Sequence, residues 1–130
     1  MAEKKTNNNA DNEIFELSKV QPIILTDNDT GKQYVLEFDL ASVKFAEQRG
    51  FDIDNLKGVS GLEDLFYYSF RKHHKSMSQI QTNDILYKKM GGFPDGMIER
   101  LGQLYTKPYE ALVQREDDDE AKNVSMTVQM

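Results

Sequence analysis

The chain has 130 residues, no cysteine and no tryptophan; 38% of its residues are hydrophobic, and 22 acidic against 16 basic side chains give a net charge of −6. This length supports one modest core, and the missing cysteines exclude a disulfide framework, a thiol nucleophile, an Fe–S cluster and a thiolate zinc site. The acidic balance disfavours a nucleic-acid binder, which needs a basic face, and no apolar run approaches the roughly 18 residues of a membrane helix.

The first residues place no apolar stretch behind their charges, so no secretory signal is expected and an intracellular setting fits. Residues 1–19 are polar, with an Asn7-Asn8-Asn9 run, and are expected to be a flexible segment. Ile14, Phe15 and Leu17 are its apolar exceptions and are read as docking on the chain's own domain.

Two apolar runs follow, at 20–26 and 33–38, with turn-forming residues at 27–32 between them. They predict a β-hairpin in which Tyr34, Leu36 and Phe38 share one face. Pro22 has no amide to donate, so the first strand is an edge.

The rest reads as helical. Asp39 is placed to cap a helix over 40–48, with Gly50 as its left-handed stop. Ser60 and Glu63 have capping-box spacing and predict a second helix to about residue 75, whose stripe carries Leu62, Leu65, Phe66, Ser69, Phe70 and His73. A third helix is expected over 83–90, capped by Ser78 or Thr82 and stopped by Gly91-Gly92. A fourth is expected over 95–113, with Met97, Ile98, Leu101, Leu104, Tyr105, Pro108 and Leu112 on one stripe. Pro108 kinks it or divides it in two. Residues 114–130 carry five acids against two bases, half of the net charge of −6, and predict a disordered acidic tail. The expected architecture is mainly α (α+β): one domain over 20–113, a hairpin then about four helices, between disordered polar ends.

No catalytic set, metal site or cofactor site emerges. His73 and His74 are the only histidines; adjacent helical residues point about 100° apart, and Arg71, Lys72 and Lys75 surround them. They read as His73 packed at the stripe edge and His74 exposed at the helix end. Asp117-Asp118-Asp119 and the turn Asp27-Asn28-Asp29 both lack the closing pattern of a calcium loop. Asp52 with Asp54, and Glu63 with Asp64, are carboxylate pairs better read as turn and helix-start residues. The glycines at 58 and 61, and those at 91, 92 and 96, lack the spacing and the following Lys-Ser/Thr of a phosphate loop.

The aromatics say more. Tyr67 and Tyr68 flank the second helix away from its stripe centre, Tyr109 sits at the edge of the fourth, and Phe45 lies opposite Leu40, Val43 and Ala46. Amphipathic rings off the core face mark protein-binding surfaces, and the alternative is that a second layer of the same domain covers them. Truncating Tyr67, Tyr68 and Tyr109 to Ala is expected to weaken partner capture and leave the fold intact.

The order Tyr34-x-Leu36-x-Phe38-Asp39, Ser42-Val43, Glu47-x-x-Gly50-Phe51, Leu62-x-x-Leu65-Phe66-Tyr67, His73-His74 and Leu101-x-x-Leu104-Tyr105 resembles the tail assembly chaperones of long-tailed bacteriophages over roughly residues 20–113. The resemblance implies a small, mostly helical protein with an N-terminal hairpin and no enzymatic activity. It implies binding to the tape measure protein and assistance to tail tube protein polymerisation, in the host cytoplasm and outside the mature virion. A longer frameshifted form is common in that family. The competing reading is a structural or regulatory phage protein, such as a head–tail connector subunit or a host-protein inhibitor, with a homo-oligomer left open.

Overall fold

The computed structural model describes residues 17–113 and 125–130. The expectations for Ile14, Phe15 and Asp117-Asp118-Asp119 fall outside these residues. Residues 125–130 are exposed and carry no helix or strand. No helix among the described residues is long and apolar enough to cross a membrane.

Strands β1 (Ile23–Thr26) and β2 (Gln33–Leu36) form an antiparallel hairpin in which Ile23 faces Leu36 and Thr26 faces Gln33. The Asp27 amide donates to the Lys32 carbonyl at 2.8 Å, and the Asp27 carboxylate accepts from the Asp29 amide at 2.9 Å. This local bonding makes the 27–32 segment a turn. β1 is shorter than the expected 20–26 because Val20 is engaged elsewhere. Its amide donates to the Leu17 carbonyl at 3.2 Å, and its carbonyl accepts from Lys107 at 2.9 Å. Leu36 and Phe38 point into the core, as the alternation predicts.

Among the described residues, four helices follow the hairpin. Helix α1 (Leu40–Gln48) starts at a reciprocal cap in which Asp39 accepts from the Ser42 amide at 2.8 Å and the Ser42 hydroxyl accepts from the Asp39 amide at 2.9 Å. Helix α2 (Gly58–Ser69) differs from expectation at both ends. It starts two residues before Ser60, so the Ser60–Glu63 box does not form, and Glu63 instead accepts from the Tyr87 hydroxyl at 2.5 Å. It stops well short of residue 75 because the Ser69 carbonyl accepts the Glu37 amide at 3.1 Å. That carbonyl would otherwise continue the helical ladder.

Helix α3 (Gln79–Asp84) is capped by Ser78, whose hydroxyl accepts from the Gln81 amide at 3.1 Å. Thr82 is inside it and buried. A π-helical turn (Ile85–Met90) continues α3 and ends at Gly91, whose φ of 71° suits a residue without a Cβ. Helix α4 (Met97–Thr106) passes into a 3-10 segment (Lys107–Leu112) with Pro108 at its start. Pro108 therefore divides the expected fourth helix. Ile98 and Leu112 fall off the buried stripe.

α2 is central and packs against α1, α3 and α4. Its Leu65 and Phe66, with Phe70 just beyond its end, join Leu101, Leu104 and Tyr105 of α4 and Val43 and Ala46 of α1 in one core. Many of its rings meet edge-on, as ring quadrupoles favour: Phe66 with Phe70 and Phe38 with Tyr105, both at 5.0 Å. A 3-10 turn (Leu17–Lys19) sits against α4 and the segment after it.

Candidate functional site

The four aromatic candidates lie along one chain of ring contacts. Phe45 on α1 meets Tyr68 on α2 at 6.1 Å, and Tyr67 meets Tyr68 at 5.1 Å. Phe51 links Tyr68 to Tyr105 at 5.3 and 5.4 Å, and Tyr105 meets Tyr109 at 6.4 Å. The structure thus brings together residues spread from position 45 to position 109.

They are not equally available. Tyr68 is only 7% exposed and belongs to the core, where Phe45, Phe51 and Tyr67 cover it. This corrects the reading of Tyr68 as a ring outside the core and the expectation that its truncation spares the fold. Removing a buried ring costs about 3–5 kcal/mol. Phe45, Tyr67 and Tyr109 are half-buried. The Tyr109 hydroxyl donates to the Glu47 carboxylate. That bond, aided by burial, pushes its pKa up to about 12. The Arg71 guanidinium stands 3.9 Å from the Phe45 ring centre and that of Arg49 5.2 Å from it, so the ring is a platform for cations.

Beside Phe45 the surface is concave. A groove of about 380 Å³ runs between α1 and the turn after α2, lined on one side by Ser42, Lys44 and Gln48 and on the other by Arg71, Lys72 and Lys75. The run Arg71-Lys72-His73-His74-Lys75 showed the charge. Its concavity depends on α2 ending at Ser69, which local sequence does not encode.

The histidines exchange the roles expected of them. His74 is half-buried, and its Nε2 accepts the Val35 amide of β2 at 3.0 Å. Burial first, then repulsion from His73 and Lys32, holds its pKa below the ordinary value. His73 is the more exposed and pairs with Glu37 at 2.6 Å, beside Lys72 at 3.2 Å. Burial would raise the Glu37 pKa, but the hydrogen bonds from His73 and Lys72 outweigh it and the net shift is downward. Val35 and Glu37 point their amides away from β1, and both are held by the end of α2 and the turn that follows it. The outer edge of β2 is thereby covered.

A second hollow of about 310 Å³ lies between the hairpin turn and the π-helical turn. Lys89 reaches into it and bridges Asp27 and Asp29, each at 3.2 Å. The ammonium occupies the position a cation would take between these carboxylates. Among the described residues no three His, Cys, Asp or Glu side chains converge on a metal-sized site.

Neither the comparison with curated proteins nor that with solved structures finds a match. A family model described as domain of unknown function, DUF5055, matches residues 4–130. That match takes in the hairpin, the four helices, the ring chain and the basic groove, and the chain therefore belongs to this family.

Proposed function

We propose that this protein is a non-enzymatic tail assembly chaperone of a long-tailed bacteriophage. It binds the tape measure protein and assists the tail tube protein to polymerise around it, acting in the host cytoplasm and leaving before the tail is finished. The observation that carries this reading is the α1–α2 face. Phe45 and Tyr67 present half-buried rings there beside a groove, as expected of a surface that takes up the apolar stripe of a partner helix. The hairpin followed by four helices supports it as well, since the phage chaperone resemblance implies that architecture.

Co-expression with the tape measure protein of the same genome tests the reading. Soluble tape measure protein that co-purifies with this chain is the expected result. Tape measure protein that stays insoluble beside a folded, soluble chain overturns it.

A further inference from the structure

We infer that the groove between α1 and the turn after α2 is a docking site for an acidic helical segment of a partner protein. Its carboxylates sit against Lys44, Arg71 and Lys75, and a neighbouring apolar side chain sits against Phe45. The helical form of the partner rests on the chaperone reading above; its acidic character rests on the groove alone.

The charge arrangement carries the inference. The chain as a whole is acidic, at −6, yet four cations and a single acid line this groove. The acid, Asp39, is occupied as the cap of α1, where it accepts from the Ser42 amide at 2.8 Å. Lys72 is occupied by Glu37 at 3.2 Å. Lys44, Arg71 and Lys75 make no ion pair with any described residue. Arg71 is steadied by the Phe45 ring at 3.9 Å, which leaves its N–H edge to meet a carboxylate.

Three cations lining one groove with an aromatic ring, Arg71 against the ring itself, fit a surface that mixes carboxylates with apolar groups. An acidic amphipathic helix has that surface, with Glu or Asp one turn apart beside Leu or Phe. A nucleic acid fits less well. Its phosphates need a basic stripe that follows the backbone, whereas this patch is local and the folded domain around it carries more acids than bases.

The test uses the full chain and a labelled synthetic helical peptide carrying Glu one turn apart beside Leu. Its matched control has Gln at each Glu, and binding is read by fluorescence anisotropy. The Glu peptide is expected to bind, more weakly as salt rises, and the Gln peptide at least about tenfold more weakly. Lys44→Glu with Lys75→Glu, both exposed positions, is expected to lose about tenfold or more with an unchanged circular dichroism spectrum. Equal binding of the two peptides, or an unchanged affinity in the double variant, overturns the inference. So does a single-stranded oligonucleotide that binds the same lysines more tightly than the Glu peptide.

Capture of tape measure protein separates this inference from the chaperone reading. A double variant that captures it as fully as the unmodified chain overturns the groove and leaves the chaperone reading standing. Failure of the unmodified chain to capture it, with the Glu peptide still bound through these lysines, overturns the chaperone reading and supports the groove.

Discussion

Single side chains tie the hairpin and the C-terminal segment to the helices. His74 accepts the Val35 amide only as a neutral imidazole, so protonation removes the acceptor. Its pKa lies below the ordinary 6.5 in the fold, so the unfolded chain binds the proton more readily. The stabilisation is complete above about pH 6.5 and is lost as pH falls through the lower folded value. The Glu37 carboxylate, also held below its ordinary 4.5, adds a second loss at more acidic pH. His74→Ala is expected to cost about 1–3 kcal/mol by leaving the Val35 amide without its acceptor. It is also expected to flatten the first step when stability is measured by urea denaturation at about pH 7.5 and about pH 5.5. Tyr109→Phe removes the bond to Glu47 and is expected to cost about 0.5–1.5 kcal/mol in the same assay. At this scale the sequence was a partial guide. It marked Phe45, Tyr67, Tyr68 and Tyr109 as rings to explain, but the cover over Tyr68 comes from α1 and Phe51. Contacts between distant positions leave no periodic trace on the helix that carries the ring.

Elements begin and end where the nearest backbone group finds its partner. Asp39 and Gly91 were legible as boundaries because a cap and a left-handed stop are local devices. Ser60 with Glu63 has the same spacing, yet the helix begins at Gly58 and leaves the box unused. The contrast yields a test by thermal denaturation. Ser78→Ala is expected to cost about 0.5–2 kcal/mol through loss of the α3 cap, while Ser60→Ala stays within about 0.5 kcal/mol. The end of α2 was not legible at all. It is set by the bond between Ser69 and Glu37, which exists only once the hairpin has docked. Everything that follows from that stop, including the reversed histidine roles and the basic groove, was hidden with it.

For the whole molecule, α2 joins the hairpin, α1, the π-helical turn and α4 through one core and packs on α3, and the α1–α2 face is the part of that scaffold where half-buried rings adjoin a groove. On the proposal made here, a partner helix lies on this face. Hydrogen–deuterium exchange of the co-purified complex with the tape measure protein tests it most directly. Added protection is expected in residues 40–48 and 67–75 relative to the free chain, with the β1 edge unchanged. Protection confined to β1 or to residues 97–106, with none in α1 or the turn after α2, would contradict it.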